Sequence, residues 1–304
     1  MSTTDREDTL KRLTDELANF QGILEGISPL SLEIPQLEGL DIFGKIMPMN
    51  GIAGGDHIIY VDFKQQYNLQ ARIAEAQGGG RHEVAANLKR CRNRAGVILM
   101  DVSGHQATDA LLAAMLHQSF RMGALYELDI FGQITNRLFE NLNTRFYNTS
   151  SMSKYFTMIY GEIATDTTFR FFTAGHPPPI VFSDKHGRFM DIDPQLCAAF
   201  PPIGMQPSKD MIDQSATSSV LGFKSKYVIN KWEIMGENDI MIICSDGLLE
   251  HSRGGETYYP KSLQDLICEV KNESAATICD AIQKDALSFN NQSDDISFIV
   301  IKRI

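Results

Sequence analysis

In 304 residues the chain has no C-x-x-C pair, no basic excess, one tryptophan and no long hydrophobic run. Its five cysteines, Cys91, Cys197, Cys244, Cys268 and Cys279, are odd in number and scattered. That argues against a disulfide framework and a zinc ribbon, and for a reducing compartment. Lys and Arg total 28 against 38 Asp and Glu, a formal charge of −10. Such a balance speaks against general nucleic-acid binding, which needs a basic face, and suits a partner with a positive patch. No apolar stretch approaches the roughly 18 residues of a membrane-spanning helix. The polar, acidic start MSTTDREDTLKRL reads as neither a signal peptide nor a transit peptide. These absences predict a cytosolic protein that engages neither nucleic acid nor membrane.

What is present is ordinary globular composition, 43% apolar and 22% charged, in a length that suits one large domain with an appendage or two ordinary domains. Residues 5–24 carry Leu10, Leu13, Leu17, Phe20 and Ile23 at spacings of three and four, an amphipathic helix. It reads either as a helix packed on the main domain or as a regulatory arm through which two copies dimerise. Gly26, Pro29 and Pro35 interrupt the pattern, so an N-terminal helical arm is expected over 1–35 and the main domain over 36–304.

From Leu40 the texture is that of strands: LDIFGKIMP, HIIYVDF and GVILMD, then two helical stretches near 108–125 and 129–146. KYFTMIYGEI and TFRFFTA flank a turn, as do PIVFS and RFMDI, which predicts two hairpins. KYVINKWEIM, DIMIICS and DISFIVIKR complete the strands, with helices between residues 261 and 288. Short turns rather than regular crossover helices point to antiparallel sheets in an α+β layered sandwich. Residues 64–95 stand apart: a helix-like piece, then GGGRH, then the basic LKRCRNR. They read as a solvated excursion or as a docking surface for an acidic or phosphorylated partner.

Four aspartates share a setting at a strand end beside small or polar residues. Asp56 follows Gly54 and Gly55, Asp101 ends GVILM, Asp246 follows DIMIICS, and Asp294, with Asp295 behind it, opens the last strand. One aspartate beside a glycine is common turn chemistry, and Asp101 alone reads equally as a cap or as a metal ligand. Four of them suggest strands that deliver carboxylates to one end of a sheet, an oxygen donor set suited to Mg²⁺ or Mn²⁺.

GGD at 54–56, DVSGH at 101–105, TAGHPPPIVF at 173–182, PPIGM at 201–205, DIMIICSDGLLE at 239–250 and SDDISFIVI at 293–301 occur in order. Together, over about residues 40–304, they resemble the bacterial SpoIIE/RsbU branch of the PPM metal-dependent serine/threonine protein phosphatases. The resemblance implies a four-layer αββα sandwich with two Mn²⁺ or Mg²⁺ ions at one end. It implies Asp56, Asp101, Asp246 and Asp294 as metal ligands, Asp101 bridging both ions, with the carbonyl of Val102 as a backbone ligand. The reaction implied is hydrolysis of a phosphoserine or phosphothreonine by directly attacking, metal-activated water. The substrate implied is a signalling protein, a STAS-type anti-sigma-factor antagonist in a partner-switching stress or developmental pathway.

His105 and His176 read either as functional groups, a proton donor to the leaving alkoxide or an orienter of a ligand, or as turn histidines. The chain departs from the resembling pattern at Gln106, where a glycine is expected, and at Thr108 and Asp109, where small apolar residues open the helix. Residues 64–95 look like an insertion. Gln106 and that segment support a rival reading, a weakly active or non-catalytic signalling module that keeps the fold for binding. A serine hydrolase using Ser103 or Ser245 is a second rival, and it predicts indifference to chelators.

Overall fold

A computed structural model describes residues 3–25, 33–49, 54–103, 107–149, 154–209 and 218–304. In the first half of the chain the helices are α1 (Thr3–Glu25), α2 (Phe63–Gln66), α3 (Leu69–Gly78), α4 (His82–Cys91), α5 (Ala107–Phe131) and α6 (Asn136–Thr149). The strands among them are β1 (Leu40–Met47), β2 (His57–Asp62) and β3 (Arg94–Val102). Then follow β4 (Phe156–Ala164), β5 (Phe169–Ala174), β6 (Ile180–Ser183), β7 (Arg188–Phe189), β8 (Ala199–Phe200), β9 (Asn230–Trp232) and β10 (Ile240–Cys244). The chain closes with α7 (Asp246–Leu249), the small hairpin β11 (Ser252–Arg253) and β12 (Glu256–Thr257), α8 (Lys261–Val270), α9 (Ala275–Phe289) and β13 (Ile296–Arg303).

Two sheets result. One runs β1-β13-β10-β6-β7; the other runs β2-β3-β4-β5-β8, with β9 also paired to β5. Every pairing is antiparallel except β5 with β8. Strand alternation sorts the side chains into three apolar layers. Val97, Leu99, Ile58, Met241, Ile243, Ile299 and Ile301 meet between the sheets. Ile98, Met100, Ile59 and Val61 face α5 and α6, while Ile240, Ile242, Phe298 and Val300 face α8 and α9. The result is the expected four-layer αββα sandwich.

Segment 64–95 is not a solvated loop. The side chain of Asp62 caps α2, accepting from the amides of Lys64 and Gln65. Leu69, Ile73, Ala76, Ala85, Leu88 and Cys91 then join the core beneath α5, leaving Lys89, Arg90 and Arg92 exposed. Such a division is what an amphipathic helix pair packed on a helical layer produces. Helix α1 touches α5, and Leu10 and Leu13 of its apolar stripe are exposed.

The strand expected from KYVINKWEIM pairs over only three residues. Trp232 is buried between the sheets, edge-on to Phe171, and its indole N–H donates to the Leu196 carbonyl (2.9 Å). Upstream the ladder is lost because the Tyr227 amide donates to Oε1 of Glu140 on α6 instead (2.6 Å). Lys224 ion-pairs with the same carboxylate at 3.1 Å, and Ser208 donates to it as well. Asn143, one turn along α6, accepts from the Gly204 amide and donates to the Gln206 carbonyl. A buried polar knot therefore ties the long connection after β8 to α6.

Candidate active site

Alternation also determines where the aspartates fall. Asp101 shares the face of Val97 and Leu99, Asp56 that of Ile58 and Tyr60, Ser245 that of Met241 and Ile243, and Asp295 and Ser297 that of Ile299 and Ile301. All five groups point between the sheets, at the end of the sandwich where β2 and β13 begin and β3 and β10 finish. The register brings neighbours together: His57 pairs with Met100 across β2 and β3, and the Val102 amide donates to the Gly55 carbonyl (3.3 Å). Ser245 and Ser297 join the other sheet through the Ser245 amide on the Ser297 carbonyl (2.9 Å) and the Ser297 amide on the Ser245 hydroxyl (3.0 Å).

Asp295 is the keystone of this end. It is buried, and its carboxylate accepts from the amides of Met49 and Gly55, each at 2.7 Å. A side chain at Gly54 would collide with that carboxylate, and one at Gly247 with the Asp295 carbonyl. The two glycines are therefore required for close approach, not for turn flexibility. Asp246 opens α7 at the end of β10. Asp294 is exposed, and its carboxylate accepts from the Asp295 amide (2.8 Å).

The electrostatics show that these carboxylates feel one another. Burial pushes Asp101 up to about 7, with Asp246, Asp294, Asp295 and Asp109 adding repulsion. Burial, then the charge of Asp101, raises Asp56 well above the ordinary carboxylate range, while the nearby Ser297 and Ser245 hydroxyls offset part of this. Burial and Asp294 raise Asp246. One buried oxygen of Asp56, Oδ2, makes no hydrogen bond. Among the described residues no three His, Cys, Asp or Glu side chains already converge on one point at ligand distance. The donor set nonetheless fits a hard divalent cation: it is all oxygen, mutually repelling, and includes a buried acceptor without a donor.

A pH dependence follows for the metal-free protein. The folded state binds protons at Asp101 up to about pH 7, whereas an unfolded aspartate releases them near 4. Stability is therefore greatest below about pH 4 as far as this group is concerned, and is lost as pH rises toward 7; Asp56 and Asp246 act in the same direction. Thermal midpoints in EDTA should fall across that window, and saturating Mn²⁺ should remove the fall.

The histidines separate. His57 faces the helical layer and shares a hydrogen bond with His117 of α5 (2.7 Å). His176 is buried at the site end, its Nδ1 3.1 Å from the hydroxyl of Thr157, and Thr157 is the register partner of Asp101. Burial pushes His176 down to about 3, so it is a neutral, hydrogen-bonded group. His105 and Gln106 lie outside the described residues. Lys154 and Asp109, which sequence reading passed over as partners, form an ion pair at 2.9 Å beside the β3 end. They are 45 residues apart, too far for any local pattern to join them.

Comparison with known proteins agrees with this architecture. The family Stage II sporulation protein E (SpoIIE) matches residues 92–304. The chain is 23% identical over 303 residues to phosphoserine phosphatase RsbU of Bacillus subtilis, covering 98% of this chain and 72% of RsbU. It is 26% identical over 216 residues to phosphoserine phosphatase RsbP of the same organism, covering 69% of this chain and 46% of RsbP, so it spans less than half that relative's length. Among solved structures, the SiaA-PP2C domain of Pseudomonas aeruginosa superimposes with a TM-score of 0.64 at 14% identity, covering 97% of this chain and 98% of that one. At that identity the structural likeness establishes a shared fold; the family match over most of the chain establishes kinship. The chain belongs to the SpoIIE family, within the SpoIIE/RsbU branch of the PPM protein phosphatases.

Proposed function

We propose that this chain hydrolyses phosphoserine or phosphothreonine on a signalling protein, a STAS-type antagonist of an anti-sigma factor, in a cytoplasmic partner-switching pathway. The observation that carries the reading is the delivery of Asp56, Asp101 and Asp246, all with raised pKa values, to one end of the two-sheet core. RsbU and RsbP, which the chain resembles, are named phosphoserine phosphatases.

In this reading Asp56, Asp101, Asp246, Asp294 and the Val102 carbonyl hold two divalent ions, Mn²⁺ or Mg²⁺. Bound there, the ions supply acidification of the attacking water and neutralisation of charge on the phosphoryl oxygens. The chain's own residues do the positioning. Asp295 holds the Gly55 and Met49 amides so that Asp56 stays at the mouth, and the Ser245–Ser297 pairing keeps β10 and β13 in step beneath Asp246. His105, which follows β3 in the sequence, is assigned as proton donor to the leaving alkoxide. The exposed Leu10 and Leu13 of α1 suit pairing with the same helix of a second copy.

The test is hydrolysis of p-nitrophenyl phosphate and of a phosphoserine STAS-domain protein by the full chain, after EDTA treatment and after adding back Mn²⁺ or Mg²⁺. Turnover that EDTA abolishes and Mn²⁺ restores supports the reading. EDTA-resistant turnover would transfer the chemistry to a serine and sink it.

A further inference from the structure

We propose that Lys154 is a positioning residue that ties the end of β3, and with it the backbone at Val102 and Ser103, to the first turn of α5. The inference rests on the phosphatase reading above, in which Asp101 and Val102 supply ligands. The Lys154 ammonium donates to the Ser103 carbonyl at 2.6 Å and ion-pairs with Oδ1 of Asp109 at 2.9 Å. Ser103 directly follows β3, and Asp109 lies in the first turn of α5. One side chain therefore joins the end of β3 to the start of α5. The strand side is already registered: the Ser103 amide donates to the Tyr155 carbonyl (3.1 Å), and the Tyr155 amide to the Ser103 hydroxyl (3.3 Å). Lys154 extends that register to the helix.

The energetic reason lies in Asp109. It is 0% exposed and occupies a position where the resembling pattern expects a small apolar residue. A carboxylate in that setting is strongly destabilising without a cation, and its charge adds to the repulsion already acting on Asp101. Lys154 offsets both effects. The same arrangement explains how this chain tolerates a departure at the start of α5 that otherwise counts against an ordered site.

Three variants of the full chain test this: Lys154→Met, Lys154→Arg, and Lys154→Met combined with Asp109→Asn. Lys154→Met should weaken Mn²⁺ binding, read by calorimetry, by about 10- to 100-fold, the usual effect of removing a group that orients ligands. It should lower kcat for p-nitrophenyl phosphate at subsaturating Mn²⁺ while leaving KM unchanged. Lys154→Arg should restore most of the affinity, and the double variant part of it, because the buried negative charge that repels Asp101 is then removed. Unchanged Mn²⁺ affinity in Lys154→Met would overturn the proposal. So would a raised KM at constant Mn²⁺ affinity, which would place Lys154 on the substrate. Amide exchange of the 100–110 segment separates this from failure of the phosphatase reading. If the wild type binds no Mn²⁺, that reading fails, while faster exchange in Lys154→Met still supports the clamp and equal exchange refutes it.

Discussion

Asp101→Asn should abolish Mn²⁺-dependent phosphoester hydrolysis while making the metal-free protein more stable. Asparagine keeps the shape of aspartate and removes its charge. If Asp101 helps hold the ions, turnover at fixed Mn²⁺ should fall by about a thousandfold or more, the scale of several kcal/mol of lost charge stabilisation. The metal-free effect has the opposite sign. In the folded chain Asp101 is pushed up to about 7 by burial and by Asp246, Asp294, Asp295 and Asp109, so above neutral pH it ionises at a cost to folding, and a neutral isostere relieves the repulsion. In EDTA at pH 8 the variant should melt above the wild type. With Mn²⁺ the order should reverse, because only the wild type gains binding energy. A structural aspartate would show neither the reversal nor the stabilisation, and melting curves with and without metal distinguish the cases. A variant that keeps Mn²⁺-dependent turnover would remove Asp101 from the site.

Lys224→Met should be the most destabilising single change outside that site, by about 3–5 kcal/mol in urea unfolding, the range for removing one partner of a buried ion pair. The Lys224 and Glu140 side chains are 1% and 6% exposed and 3.1 Å apart. The ammonium also lies 3.3 Å from the centre of the Tyr227 ring, a further attraction for the cation. Burial lowers the pKa of Lys224, and the Glu140 charge holds part of it up. Without the lysine, Glu140 keeps the Ser208 hydroxyl and the Tyr227 amide but no cation. The connection between β8 and β9 should then loosen from α6 and become a site of proteolysis. Adding Glu140→Gln should recover part of the loss, since two neutral groups are cheaper to bury than one unpaired charge. A cost below about 1 kcal/mol would mean that the pair behaves like one at the surface.

The strand ends were legible in the sequence because burial on both faces leaves an unbroken apolar run. GVILM and DIMIIC announce their strands and hence the depth of Asp101 and Asp246. Short turns pointed to antiparallel pairing, and oxygen-only ligand candidates pointed to a hard cation. KYVINKWEIM was overread: its apolar alternation is genuine, but the Tyr227 amide is taken by Glu140, 87 residues away. Segment 64–95 was underread, because its apolar residues acquire a partner only when α5 lies above them.

Local pattern, then, establishes the antiparallel α+β layering and the aspartates at its strand ends, since period-two alternation and turn chemistry act over a few residues; the four-layer plan was what the family resemblance implied. Which charges share that end is a matter of long-range pairing. Asp295 meets Gly55 across 240 residues, and Lys154 meets Ser103 across 51. Burial and mutual repulsion, which raise the pKa values of Asp56 and Asp101, exist only once the two sheets have closed over them.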